Sequence, residues 1–137
     1  MNSNEGVANY DWLLYSNKYG LTVFVQKKKL IFFQNNAEIE PFNVWLDHLR
    51  DAKARRLILQ RLYRLQSGNY GDYKPIKNGV FELRVRLGPG YRIYFGEYHK
   101  YTVVLLYGGD KSTQERDIKR AISYWKEFLH HEQLQDA

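Results

Sequence analysis

Apolar and polar residues alternate in the second half of the chain with the two-residue period of β-strands. In the segment VFELRVRL, 80–87, apolar and charged side chains fall on opposite faces, and YRIYF, 91–95, repeats the pattern. Gly88-Pro89-Gly90 lies between them and indicates a turn with Gly90 in the left-handed conformation. A three-residue loop keeps both faces consistent. It predicts three cross-strand pairs: Leu87 with Tyr91, Arg86 with Arg92, and Arg84 with Tyr94.

Three other segments have the composition of strands. The continuous apolar run 101–107 predicts a strand that is covered on both faces. The segments 21–25 and 30–34 are shorter strand candidates. The segment 67–79 is rich in Gly, Asn and Asp and predicts a loop.

Helical spacing appears twice before that loop. Pro41 suits a first helical turn, and apolar residues follow it at 42, 45, 46 and 49, which lie on one helical face. Asp51 is placed to cap a second helix that runs to about Gln66. The pattern predicts two antiparallel helices joined by a short turn.

A last helix is predicted after the central strand. Ser112 and Glu115 have the spacing of a capping box, and the apolar face fades near Phe128–His131. The order of elements predicts a compact α+β domain with helices against one face of an antiparallel sheet. We place this domain at 29–131, interpret 1–28 as an N-terminal extension that is partly ordered at best, and expect 132–137 to fray.

Length and composition narrow the function classes. The 137 residues fit one domain, and there is no cysteine for a disulfide or a thiolate. The four histidines are scattered, so no metal site is expected, and no cofactor motif is present. No apolar run approaches the roughly 20 residues of a membrane span, and the first residues do not resemble a signal peptide. We therefore expect a cytoplasmic protein without a metal or cofactor.

The charge balance favours anionic partners. Lys and Arg number 21 against 15 Asp and Glu, which gives a net charge of +6. Such a surface attracts polyanions or an acidic protein. From the charge alone, a role in solubility is as good an explanation as the binding of an anionic partner.

The predicted hairpin concentrates that charge. Its register places Arg84, Arg86, Arg92 and Tyr94 on one face, and like charges opposite each other cost about 0.2–1 kcal/mol. Guanidinium groups hold phosphate oxygens in pairs, so this face is a candidate anion site. Lys111 precedes a predicted helix N-terminus and could reach the same face. The alternative is a solvated strand face.

A second basic patch lies mainly on the helix pair. Its members are Arg50, Lys53, Arg55, Arg56, Arg61 and Arg64, with Lys74 in the following loop. A solvated helix face and a docking surface for RNA, the ribosome or an acidic partner both fit this pattern. The chain lacks a nucleophile-elbow motif and a phosphate-loop motif, which argues against a serine hydrolase and a nucleotide hydrolase.

Four contiguous motifs carry a family resemblance: F-x-x-W-L at 42–46, SGNYGDYKPI at 67–76, GVFELRVRLGPGYRIYF at 79–95 and GGDKSTQERDI at 108–118. They resemble the HigB-like addiction module killer branch of the RelE/ParE toxin superfamily, over about residues 30–130. The resemblance implies a RelE-like fold, a bacterial or phage origin and a cognate antitoxin as partner. RelE-like members cut mRNA in the ribosomal A site.

Site residues carry over by motif. Arg84 and Arg86 match the basic pair on the strand before the hairpin turn, Arg92 matches a phosphate-binding arginine, and Lys111 matches a basic residue after the central strand. Asp117 falls near the position at which RelE has a tyrosine. No histidine falls in these motifs, unlike in some HigB toxins.

The resemblance implies a metal-independent endoribonuclease. Arg92 and Lys111 would hold the phosphate, while Arg84 and Arg86 would ease deprotonation of the 2′-hydroxyl. Tyr94 would stack on a base or donate a proton, and Asp117, taken as exposed, would serve as acid or base. The alternatives are a ParE-like inhibitor that binds DNA gyrase without nuclease activity, and an inactive antitoxin-binding module.

Overall fold

The computed structural model describes residues 12–16 and 18–136. They form an α+β fold with a five-stranded sheet and a separate two-stranded hairpin. The strands are β1 (Trp12–Ser16), β2 (Thr22–Gln26), β3 (Lys29–Phe32), β4 (Tyr73–Lys77), β5 (Val80–Val85), β6 (Tyr91–Tyr98) and β7 (Thr102–Asp110). The α-helices are α1 (Pro41–His48), α2 (Ala52–Gln66) and α3 (Gln114–Asp136).

The N-terminal hairpin consists of β1 and β2, which pair antiparallel. The strand predicted at 21–25 is thus confirmed as β2, displaced by one residue. The strand predicted at 30–34 corresponds to β3. Residues 1–11 of the predicted extension lie outside the described residues.

The main sheet is mixed, so the prediction of an antiparallel sheet was wrong. Its strand order is β3-β7-β6-β5-β4, and β3 runs parallel to β7 while the other neighbours are antiparallel. A parallel pair needs a long crossover connection. Here that connection contains the helix pair and three strands. The local sequence of β3 does not show whether a strand so distant along the chain pairs with it in parallel or antiparallel orientation.

The loop predicted at 67–79 was wrong in its second half, where β4 adds an edge to the sheet. β4 pairs antiparallel with β5, and its side chains are mostly exposed. Pro75 is compatible with this position because an edge strand has one side free of ladder hydrogen bonds. The polar residues that suggested a loop here are the exposed side chains of an edge strand.

Helices cover both faces of the sheet, which corrects the prediction of a single covered face. α1 and α2 bury Phe42, Ile58 and Leu65 against one face. α3 buries Ala121, Ile122 and Trp125 against the other. The central strand β7 is confirmed as covered on both sides: Val103 and Leu105 belong to the first core, Val104 and Leu106 to the second.

Helix ends follow local capping chemistry with two corrections. α1 begins at Pro41, and Asp51 caps α2 by accepting from the Ala54 N–H at 3.1 Å, both as predicted. Ser112 is not the cap of the last helix. Asp110 accepts from the Ser112 N–H at 2.8 Å and caps a short 3-10 turn, 111–113, that leads into α3. α3 continues to Asp136 instead of ending near 128–131, since no Gly or Pro interrupts it.

The β5–β6 hairpin has a different register from the one predicted. Val85 lies opposite Tyr91, and Arg84 lies opposite Arg92, so the loop has five residues, 86–90. The difference is two residues, which leaves every side chain on its predicted face. Gly90 has a φ of 80° and is confirmed in the left-handed conformation.

Candidate anion-binding site

An open pocket of about 380 Å³ lies between the β5–β6 loop and the start of the last helical segment. Four of its lining residues are the cations Arg84, Arg86, Arg92 and Lys111. The structure therefore brings together the four basic residues that the sequence analysis selected at the hairpin. We call this group the cationic pocket.

Each cation reaches the pocket from a different part of the sheet. Arg84 on β5 and Arg92 on β6 are directly opposite each other, on the face that α3 partly covers. Arg86 is the first residue of the hairpin loop. Lys111 follows Asp110, which pairs with Tyr91 at the start of β6, so Lys111 lies beside the loop. The pocket lies near the start of α3, at the end of the sheet face that this helix leaves uncovered.

Asp72 holds two of the arginines at the outer side of the pocket. Its Oδ1 accepts from Arg84 Nη2 at 2.9 Å and Nε at 3.2 Å, and its Oδ2 accepts from Arg86 Nε at 2.8 Å. These hydrogen bonds lower the pKa of Asp72 below its ordinary value, and the one from Arg86 has the largest effect. The sequence predicts only that Asp72 lies in the loop at 67–79, because its partners are 12 and 14 positions away.

Arg92 is held at the inner side of the pocket. Its side chain is 14% exposed, its Nη1 donates to the Gly90 carbonyl at 2.9 Å, and its Nε lies 3.6 Å from Glu82 Oε1. Glu82 is fully buried. Three of the four cations pair with a carboxylate, Arg84 and Arg86 with Asp72 and Arg92 with Glu82. The four cations and two carboxylates together carry a formal charge of +2. A concave surface with that excess attracts anions.

Tyr94 and Asp117 do not reach the pocket, which corrects their expected roles. Tyr94 is fully buried beneath α3, and burial raises its pKa, so it cannot stack on an RNA base. Asp117 is 2% exposed, not an exposed carboxylate, and accepts from Thr113 Oγ1 at 2.5 Å. A Cβ at Gly109 would lie 1.8 Å from Asp117 Oδ2, so this carboxylate packs directly on β7.

The second basic patch divides into structural and exposed members. Arg61 Nη2 donates to the carbonyls of Tyr70 and Asp72, each at 3.1 Å, and Arg61 Nη1 donates to the Arg84 carbonyl. Desolvation lowers the pKa of Arg61. Arg55 donates to the Leu49 carbonyl. The remaining members are exposed: Arg50, Lys53, Arg56, Arg64 and Lys74.

Comparison with known proteins gives one relative. No family model matches the chain. An uncharacterized protein of Haemophilus influenzae is 49% identical over 80 residues, which cover 58% of this chain and 81% of that protein. This chain belongs to the family of that protein. Because that relative is uncharacterized, the likeness assigns no activity to this chain.

The lining of the pocket has the chemistry of an anion site. In the described residues, no group of three or more His, Cys, Asp or Glu is placed to hold a metal ion. None of the described helices is long and apolar enough to cross a membrane. What the lining offers instead is three guanidinium groups and an ammonium, which bind phosphate oxygens by charge and by paired hydrogen bonds.

Proposed function

We propose that this protein is the toxin of a type II toxin–antitoxin system, with a RelE-like fold, and that it cleaves mRNA in the cytoplasm, on the ribosome. The observation that carries the proposal is the convergence of Arg84, Arg86, Arg92 and Lys111 in one open pocket. The motif resemblance to the HigB-like branch of the RelE/ParE superfamily supplies the reaction and the antitoxin partner. No cofactor is required for this reaction.

The proposed reaction uses the RNA as its own nucleophile. The 2′-hydroxyl gives its proton to a water molecule and its oxygen attacks the adjacent phosphorus. The bond to the 5′-oxygen breaks as that oxygen takes a proton from Lys111, which regains one from solvent. The products are a 2′,3′-cyclic phosphate and a 5′-hydroxyl end. Negative charge accumulates on the phosphorane in between, and fixed cations lower its free energy.

The four cations have different roles in this reaction, which depend on how deeply each is buried and on whether it can give up a proton. Arg92 donates to the Gly90 carbonyl and lies near Glu82, and it offers the phosphate a guanidinium group that is mostly buried. Arg84 and Arg86, joined by Asp72, raise the positive potential beside it. Arginine does not give up its proton, so Lys111 is the one of the four cations that can donate a proton to the leaving oxygen.

The test is induced expression in a bacterial host, with primer extension on cellular mRNA. Wild type should arrest growth and produce cuts, whereas Arg92→Ala should do neither. Because Arg92→Ala also leaves the buried Glu82 short of a cation, Arg86→Gln serves as a second variant. The Arg86 side chain is 79% exposed, so this change should weaken cleavage while the fold is retained.

Two outcomes would contradict the proposal. Full growth arrest by soluble, folded Arg92→Ala protein would refute the site. Growth arrest with intact mRNA and an SOS response would identify gyrase, the target of ParE-like relatives, instead of mRNA.

A further inference from the structure

A fully buried carboxylate lies behind the cationic pocket. Glu82 is on β5, opposite Tyr94 and diagonal to Arg92, and its side chain is 0% exposed. A buried carboxylate costs several kcal/mol unless cations and hydrogen bonds compensate it. The proposed reaction gives Glu82 no contact with the RNA, so the presence of this carboxylate needs its own explanation.

Three elements converge on Glu82. Its Oε2 accepts from Gln114 Nε2, at the first residue of α3, at 2.8 Å. Its Oε1 lies 3.6 Å from Arg92 Nε on β6 and 4.0 Å from Lys74 Nζ on β4. The Lys74 side chain is 47% exposed, so Arg92 is the cation that shares the interior with Glu82.

Polar atoms without a hydrogen-bond partner cluster at the same place. In the described part of the chain these buried side-chain atoms are Glu82 Oε1, Arg92 Nε and the Tyr94 hydroxyl. The Tyr94 hydroxyl is near enough to Glu82 for the carboxylate to raise its pKa, second to burial. A movement of about 0.6 Å would bring Arg92 Nε to ordinary hydrogen-bond distance from Glu82. The guanidinium is thus directed by a charge rather than fixed by a complete set of bonds.

We propose that Glu82 is a positioning residue that orients Arg92 toward an anion in the cationic pocket. Glu82 attracts the Nε edge and the Gly90 carbonyl takes Nη1, which leaves Nη2 for a phosphate oxygen. This inference rests on the proposed function where it names a phosphate of RNA as the anion. It does not rest on that function where it states that Glu82 orients Arg92.

Whether Glu82→Gln raises or lowers the affinity for RNA distinguishes a positioning role for Glu82 from a purely electrostatic one. Removing a negative charge beside a cationic pocket should strengthen the binding of RNA if Glu82 acts only through its charge. If Glu82 orients Arg92, then Glu82→Gln should weaken binding by at least about twofold, the lower end of coupling between contacting groups. Glu127→Gln on α3 removes the same charge away from the pocket and is the matched control.

The binding assay is fluorescence anisotropy with a 2′-O-methyl RNA oligonucleotide, which cannot be cleaved. The loss caused by Glu82→Gln should vanish in an Arg92→Lys background, because the residue through which it acts is then absent. An increase in affinity, or an equal loss in both backgrounds, would overturn the proposal.

A second measurement needs neither RNA nor a stable Glu82 variant. The Arg92 Nε–Hε signal in a ¹⁵N NMR spectrum, assigned by its absence in Arg92→Lys, should exchange with solvent more slowly than the signal of the exposed Arg56. Equal exchange rates would refute positioning even if Glu82→Gln fails to fold. Slow exchange in a wild-type protein that binds no RNA would instead refute the proposed function and leave the positioning role intact.

Discussion

Lys111 offers the cleanest test of the cationic pocket, because its removal should change RNA binding without changing the fold. Its side chain is exposed and lines the pocket, and it forms no ion pair within the part of the chain that the structure describes. Lys111→Gln keeps most of the side chain and removes one positive charge. We expect the thermal unfolding temperature to stay unchanged.

The magnitude follows from counterion release. The binding constant K falls as salt concentration rises. Each contact between a protein cation and a phosphate of a single-stranded nucleic acid adds about 0.7 to the magnitude of the slope of log K against log salt concentration. Four cations that each meet one phosphate give a wild-type slope of about 3. Lys111→Gln should lower that slope by about 0.7, which corresponds to about fourfold weaker binding at 0.15 M salt.

The assay is anisotropy of the 2′-O-methyl RNA oligonucleotide over a series of KCl concentrations. Lys126→Gln is the matched control, since Lys126 is an exposed lysine on α3 that does not line the pocket. It should leave the slope within error of wild type. An unchanged slope in Lys111→Gln, or the same decrease in both variants, would show that RNA does not enter the pocket.

Three further predictions concern the fold that supports the pocket. Ile58→Ala should lower the free energy of unfolding in urea by about 2–5 kcal/mol, because Ile58 is fully buried, whereas Leu59→Ala at the exposed neighbouring position should have little effect. Gly109→Ala should destabilise the protein, because the new methyl group would meet the Asp117 carboxylate, and a Gly109→Ala/Asp117→Ala double variant should lose less stability than the two single changes added together. Asp72→Asn should be less stable than wild type at neutral pH. Since Arg86 and Arg84 lower the pKa of Asp72, the difference in thermal unfolding should be full above the ordinary aspartate pKa of about 3.9 and disappear as the pH falls through the lowered value.

The sequence predicted the residues of the pocket better than it predicted their pairing. Arg84 was expected opposite Tyr94 and lies opposite Arg92. The error was harmless because side chains alternate with a period of two, so a displacement of two residues leaves each guanidinium on the same face. An error of one residue would have dispersed the site.

What the sequence did not reveal depends on contacts between distant segments. Tyr94 shares the face of Arg92, and the alternation cannot show that α3 covers one end of that face and leaves the other open. An available signal was Gly96 on β6, whose missing side chain accommodates Trp125 of α3. The partners of Asp72 and Glu82 were not predicted for the same reason. Their local patterns are those of an ordinary loop and an ordinary strand, and their partners are set by the packing of β4, β5 and β6.

The way the arginines are held argues against a merely solvated face. Arginines that serve solubility extend into water and need no fixed partner, yet the Arg92 side chain is mostly buried. Two opposed guanidinium groups at Arg84 and Arg92 repel each other, and Asp72 offsets this at Arg84 while Glu82 offsets it at Arg92. Neither carboxylate is among the residues that line the pocket. A fold that needed only neutral charge would substitute one of the arginines. Both arginines are present, each with a carboxylate partner outside the lining, and an excess of positive charge remains in one hollow, which suits the binding of an anion such as a phosphate.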